Sequence, residues 1–117
     1  MTQQESRVSK RVSVLLKGNY RIIESDFPFN VLTAVNISET GICFATDEAV
    51  EAGCMVELNI VLPNNESLSL YGKTVWSFHL SQSNLFRTGL KILSTDSPDF
   101  KKFKSFYEER LLYPPLI

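Results

Sequence analysis

Hydrophobic and polar residues alternate along most of the chain, and this alternation predicts β-strands. The cleanest run extends from Val56 to Leu62, where every second residue is apolar. The other runs of this kind begin at Val12, Phe29, Ile42, Leu68 and Phe86. A period of two residues is typical of a strand with one face in a core. The pattern therefore predicts six strands separated by short polar turns.

Two of these runs contain glycines that affect the prediction. Gly18 and Asn19 fit a turn, after which the chain either continues the first strand or starts another. In the run that begins at Leu68, Gly72 is predicted to be a bulge or a point of close approach. The parity of this run places Trp76 and Phe78 on the same side as Leu68, in the core.

The period changes after Leu93 and predicts a helix over about residues 97–112. Ser97, Pro98 and Asp99 supply a hydroxyl cap, a proline at the first helical position and an acid near the positive end of the dipole. An apolar stripe follows at Phe100, Phe103, Phe106, Tyr107 and Leu111. We expect this stripe to pack on the strands, since a short helix needs tertiary packing to persist.

Six strands joined by short turns favour an all-β fold with antiparallel pairing, closed into a small barrel. The terminal helix is then expected to cover an open edge or the mouth of this barrel. The 117 residues fit one domain. Residues 1–11 are predicted to form a flexible N-terminal arm, and residues 12–117 to form the barrel with its helix.

Composition and charge exclude several classes of function. The net charge of −1 gives no global positive field for binding a nucleic acid polymer, so any anion site must be local. The polar N-terminus lacks a signal peptide, and no apolar run approaches the roughly 20 residues that span a bilayer. We therefore expect a cytoplasmic protein without membrane insertion.

The chain contains few residues suited to catalysis or metal binding. Cys43 and Cys54 are interpreted as small apolar fillers in a reducing compartment, because they do not have the spacing of a metal site or a disulfide framework. His79 is the sole histidine and is expected at a strand end or on the surface. No base stands beside a nucleophile, so the sequence predicts no enzyme, no metal and no cofactor.

Two short motifs are candidates for ligand binding. Arg7 and Arg11 flank a lysine where the arm enters the first strand, and a planar guanidinium fork matches both a phosphate and the O6/N7 edge of guanine. The second motif is the turn at residues 36–41, with Asn36, Ser38 and Gly41. Asn and Ser hydrogen-bond to backbone or ligand, and Gly permits positive φ. Each motif alone also fits a bland interpretation, a chance basic pair or an ordinary hairpin turn.

In this order, the two motifs resemble the signature of the PilZ family, Arg-x-x-x-Arg followed by Asp/Asn-x-Ser-x-x-Gly. The later segments 72–76 and 87–92 and the terminal helix are also similar to that family. The resemblance implies a six-stranded antiparallel barrel and cyclic di-GMP as the ligand. It further implies that Arg7 and Arg11 hold the guanine edge and phosphates, that Asn36 faces a guanine, that Ser38 contacts polar groups of the ligand and that Gly41 shapes the turn.

This chain departs from the family pattern at two positions. Members often have Asp where this chain has Asn36, so a charged acceptor for guanine N1–H and N2–H is missing and affinity is open. Members with a further Arg before the first motif favour a stacked ligand pair, and this chain has Ser6 there. Ligand stoichiometry is therefore open as well.

The sequence leaves three hypotheses for function. In the first, the arm orders over cyclic di-GMP and the changed surface relays the signal to an unidentified protein partner. In the second, the chain is a degenerate PilZ interaction domain that binds no nucleotide. The third is a single-strand-binding barrel of the OB type, which needs aromatics on an exposed basic face. The aromatics fall mostly on the predicted core side, so the third is disfavoured.

Overall fold

Within the described part of the chain, six strands and one helix form the fold, as the hydrophobic pattern predicts. The computed structural model describes residues 10–25 and 28–114. The elements are β1 (Val12–Ile22), β2 (Asn30–Ile37), β3 (Gly41–Thr46), β4 (Met55–Val61), β5 (Ser67–His79), β6 (Phe86–Ile92) and α1 (Pro98–Leu112). Of the predicted arm, Lys10 and Arg11 are described, whereas residues 1–9 lie outside the described residues.

The strands close into an antiparallel barrel in the order β1-β2-β3-β6-β5-β4. Strand β1 completes the barrel because it pairs with β2 on one side and β4 on the other. The predicted all-β barrel is therefore confirmed. Since every strand has two neighbours, α1 covers an end of the barrel and does not cover an open edge.

Alternating side chains fill the barrel. In β4, Val56, Leu58 and Ile60 are fully buried while their neighbours face outward. Phe44 of β3 is also fully buried in the same cluster. Burial of a large apolar side chain contributes about 1.5–3 kcal/mol relative to its exposure, so this interior is the main source of stability.

Strand β1 passes through Gly18 and Asn19 without turning. Gly18 lies opposite Ile60 of β4, and a Cβ at this position would collide with the backbone carbonyl of Asn59. The glycine therefore permits a close approach of two strands where the barrel closes. Of the two alternatives for this segment, the continuous strand is the one observed.

The predicted side of Trp76 and Phe78 is wrong. The register of β5 against β6 shifts between Thr74 and Trp76, so Val75 is an extra residue that reverses the alternation. Trp76 lies half-buried on the outer face of the barrel, and Phe78 is 50% exposed there. The bulge is therefore three residues beyond Gly72. Gly72 itself is a point of close approach, because a Cβ would collide with the carbonyl oxygen of Lys91.

Helix α1 begins as the sequence predicts. Ser97 is the N-cap, and its Oγ accepts a hydrogen bond from the Phe100 backbone N–H at 3.0 Å. The aromatic part of the stripe packs inward as predicted, with Phe103 fully buried in the barrel core, whereas Leu111 is 38% exposed and the prediction is wrong for that residue. Asp99 accepts a hydrogen bond from the Ser69 backbone N–H at 2.8 Å and joins the helix to the start of β5. Within the described residues, no helix combines the length and the apolar character that crossing a membrane requires.

Candidate ligand site

The two sequence motifs meet at one end of the barrel. Arg11, at the entrance to β1, donates a hydrogen bond from Nη1 to Asn36 Oδ1 of β2 at 2.7 Å. The strand register brings them together, since Ser13 of β1 lies opposite Asn36. Antiparallel pairing therefore places the start of β1 beside the turn that follows β2. The amide oxygen orients the Arg11 guanidinium and leaves its remaining N–H groups as donors.

The turn at residues 38–40 joins β2 to β3 tightly. The Ser38 backbone N–H donates to the Gly41 carbonyl at 2.9 Å, and the Thr40 carbonyl accepts from the Ile92 N–H at 2.8 Å. The second bond anchors the turn to the end of β6. The position of the turn is thus fixed by two neighbouring strands.

Gly41 serves the turn in a different way from the one its motif predicts. Among the described glycines, Gly53 alone has a positive φ, so Gly41 adopts a conformation open to other residues. A Cβ at Gly41 would lie 2.8 Å from Ser38 Oγ and 3.9 Å from Arg11 Nη2. The absence of a side chain therefore leaves space between the Ser38 hydroxyl and the Arg11 guanidinium. The prediction that Gly41 adopts a positive φ is wrong. The lack of space for a side chain explains why a glycine occupies this position.

A row of residues extends across the outer face of the barrel from Asn36. Cys43 of β3 lies opposite Asn36 and also opposite Gly89 of β6, which in turn lies opposite Trp76 of β5. A Cβ at Gly89 would collide with the Trp76 indole, so the indole rests directly on this glycine. Trp76 also stacks on Phe78 at 5.4 Å between ring centroids. The row therefore has a polar end at Asn36 and an aromatic end at Trp76.

Two cationic side chains act electrostatically on the buried thiol of Cys43. Burial raises the pKa of Cys43, while Arg87, Arg11 and a hydrogen bond with Asn36 act in the opposite direction. Because burial has the largest effect on this pKa, the Cys43 thiol is neutral, and it forms the buried base of this surface. The positive charges of Arg11, just before β1, and of Arg87 in β6 therefore both act on this thiol.

Helix α1 fixes the chain just before Arg11. Tyr107 donates a hydrogen bond from its hydroxyl to the Lys10 carbonyl at 2.6 Å. Burial raises the pKa of Tyr107, and Glu39 of the turn is the next contributor. The helix, the turn and the root of the arm therefore meet at the end of the barrel where β1, β3 and β5 begin.

The structure brings together Arg11, Asn36, Ser38 and Gly41, four of the five predicted site residues. Arg7 lies outside the described residues. Sequence reasoning missed the neighbours that complete this surface on β3, β5, β6 and α1, namely Cys43, Gly89, Trp76, Arg87 and Tyr107. A glycine in the middle of a strand is a signal of close approach, so Gly89 could have indicated a large side chain above it.

These features define the chain as a small antiparallel barrel with a cationic, polar surface at one end. The PilZ domain model matches residues 3–109. That range covers most of the chain, so this protein belongs to the PilZ domain family. PilZ domains are receptor or adaptor domains rather than enzymes.

Solved structures with the same fold are distant in sequence. The Bacillus subtilis inhibitor of motility MotI/DgrA matches with a TM-score of 0.76 and 17% identity, over 97% of this chain and 55% of its own. This chain therefore spans about half the length of MotI. The Escherichia coli YcgR PilZ domain, solved with c-di-GMP, matches with a TM-score of 0.69 and 12% identity, over 92% of this chain and 95% of its own.

A third similar structure is the PilZ domain of CeSA from a cellulose-synthesizing bacterium. It has a TM-score of 0.54 and 13% identity, over 88% of this chain and 94% of its own. The comparison with curated proteins finds no match. At these identities the structural neighbours establish the fold, and the function must be argued from the site.

Proposed function

We propose that this chain is a cytoplasmic receptor that binds cyclic di-GMP and passes the signal to a protein partner. The observation that carries the proposal is the 2.7 Å hydrogen bond from Arg11 to Asn36, which joins two motifs 25 residues apart. The bond places a guanidinium fork, an amide and the Ser38 hydroxyl around one space beside Gly41. These are the groups that recognise a guanine edge and a phosphate.

The ligand chemistry fits the charges of the site. Cyclic di-GMP carries two phosphates, and the positive charges of Arg11 and Arg87 both act on Cys43. Lys91 of β6 lies directly opposite Gly41 and is exposed. A protein with a net charge of −1 therefore concentrates positive charge at one location. YcgR, the structural neighbour solved with c-di-GMP, has the same fold.

Ordering of the arm is the proposed mechanism of signalling. Lys10 is held by Tyr107 and Arg11 by Asn36, so the described chain begins beside the proposed ligand site. A bound ligand with two phosphates attracts Arg7 and draws the arm over itself. The surface made of arm, ligand and helix α1 is then what a protein partner recognises. Cyclic di-GMP should accordingly slow tryptic cleavage after Arg7.

Calorimetry tests the binding proposal. Wild type should bind cyclic di-GMP, and Arg7→Ala plus Arg11→Ala should weaken binding at least 100-fold, since each arginine loses charge-assisted hydrogen bonds. Arg21→Ala is the matched control, because Arg21 is an exposed arginine of β1 that pairs with Glu57, on the other side of the strand from β2. Undiminished binding by the double variant contradicts the proposed site. Absence of binding and of a thermal shift with wild type favours the degenerate interaction domain.

A further inference from the structure

Arg87 lies next to the row of residues that extends from Asn36 to Trp76, on the side away from the end of the barrel that carries the proposed site. It is in β6, opposite Ala45 of β3 and Phe78 of β5, two residues before Gly89. From the spacings of strands and residues in a sheet, its Cα lies about 8 Å from that of Cys43. The long side chain of arginine covers most of that distance, which brings the guanidinium of Arg87 close to the surface that Arg11 borders.

One N–H group of Arg87, at Nε, lacks a hydrogen-bond partner in the described part of the chain. Its Nε is shielded from solvent and has no hydrogen-bond acceptor there. The described ion pairs involve other residues, Arg21 with Glu57 and Lys102 with Glu66. A buried donor without an acceptor costs free energy, and such groups in proteins call for an explanation. An anion that draws the Arg87 guanidinium outward would therefore remove the free-energy cost of the unpaired Nε.

A cavity beside Arg87 provides room for part of a ligand. It has a volume of about 650 Å³ and opens on the outer face of β1, β2 and β3, against the loop after β5. Val35, Ala45 and Leu85 form apolar walls, as a nucleobase requires. Val35 is the residue before Asn36, so the cavity and the site at Arg11 are neighbours.

We propose that Arg87 is a third ligand-binding arginine, which contacts the phosphate of cyclic di-GMP farther from Arg11 while the adjoining cavity receives the second guanine. This assignment rests on the proposed function and extends it. Arg11 and Asn36 hold one nucleotide at the end of the barrel. Arg87 holds the other nucleotide farther from that end, two residues from Gly89 along β6. The orphaned Nε and the cavity then have one common explanation.

Calorimetry with cyclic di-GMP at fixed ionic strength tests the role of Arg87. Arg87→Met should weaken binding about 10- to 100-fold, as expected for a lost hydrogen bond to a charged group. Arg87→Lys keeps the charge without the fork and should fall between wild type and Arg87→Met. The matched control is Arg21→Met, which should bind as wild type. Val31→Trp, at a 70% exposed position on the cavity rim, should weaken binding about fivefold or more by filling the cavity.

The outcomes separate this assignment from the proposed function. If Arg87→Met binds as wild type while Arg11→Ala loses binding, the role of Arg87 is overturned and the proposed function stands. If Val31→Trp binds as wild type, the cavity is not the second subsite. If wild type itself does not bind, the proposed function and this assignment both fail. Should Arg87→Met fail to melt cooperatively, Arg87→Lys decides, and wild-type affinity in that variant overturns the assignment.

Discussion

Asn36 illustrates how a single residue sets the strength of the proposed site. Its amide oxygen is occupied by the Arg11 guanidinium at 2.7 Å, so the hydrogen bonds it offers a guanine are those of a neutral group. A carboxylate at this position accepts from the arginine and from guanine N1–H and N2–H with charge assistance. In the proposed site, Asn36 should therefore lower the affinity for cyclic di-GMP without changing which ligand fits.

Asn36→Asp should bind cyclic di-GMP more tightly than wild type, by about 10-fold, because charge-assisted hydrogen bonds are roughly twice as strong as neutral ones. Calorimetry measures the change. Asn65→Asp, in the exposed turn between β4 and β5, introduces the same charge away from the site and should leave binding unchanged. Equal or weaker binding by Asn36→Asp would contradict the role given to this residue.

The sequence predicts the polar residues of the site better than it predicts their neighbours. Asn36, Ser38 and Gly41 lie in one turn, so their proximity follows from local spacing. Cys43 and Arg87 come together only through the pairing of β3 with β6. Their types are ordinary for a filler and a surface cation, and nothing in the local pattern marks them.

At the scale of elements, hydrophobic periodicity predicts the strands and the helix but misses the bulge in β5. Trp76 and Phe78 are apolar and keep the parity of Leu68, so the alternation past Val75 looks unbroken in the sequence. The extra residue becomes visible when β5 is set against β6, where the register shifts. That shift moves Trp76 from the core to the outer face beside the proposed ligand. Aromatic side chains therefore lie on the outer face next to basic residues. The placement of the aromatics in the core, which was the argument against the OB-type hypothesis, does not hold for Trp76 and Phe78.

Tyr107 couples helix α1 to the root of the arm through its bond to the Lys10 carbonyl. Tyr107→Phe should lower the free energy of unfolding by about 0.5–1.5 kcal/mol, the net contribution of one hydrogen bond. It should also weaken cyclic di-GMP binding severalfold, because Arg11 loses its fixed anchor. Chemical denaturation and calorimetry measure the two effects. Tyr113→Phe, at a 73% exposed position after the helix, is the control, and equal effects from both variants would refute the coupling.

At the scale of the whole molecule, closure of the barrel depends on the pairing of β1 with β4. These strands are far apart along the chain, and neither carries a local signal for its partner. The pairing of β1 with β4 is possible because Gly18 has no Cβ, which lets the two backbones approach each other. The sequence therefore predicts a barrel from the number of strands and turns, while the strand order follows from the structure.

The protonated state of three buried groups makes the fold sensitive to alkaline pH. Burial is the main cause that raises the pKa of Cys43, Tyr20 and Tyr107. The unfolded chain releases these protons at the ordinary thiol and phenol pKa values, whereas the native protein retains them to higher pH. The native state then binds more protons than the unfolded state. The contribution of the three groups to the free energy of unfolding is therefore fully present below their ordinary pKa values. It is lost as the pH rises through their raised pKa values.

The free energy of unfolding should therefore decrease from about pH 8 to about pH 10.5, measured by urea denaturation. Cys43→Ala and Tyr107→Phe should each flatten the decrease, because each removes one of the titrating groups. An unfolding free energy that rises over this range would contradict the protonation states assigned to the three groups.

Cyclic di-GMP is proposed to bind where Arg11 meets the turn at residues 38–40. The most direct test is a titration of the uniformly ¹⁵N-labelled protein with cyclic di-GMP, followed by amide and indole NMR signals. The largest shifts should occur at Arg11, at residues 36–41, at Gly89 and at the indole of the single tryptophan, Trp76. Shifts confined to β4 and the turn after it, or no shifts at saturating ligand, would contradict it.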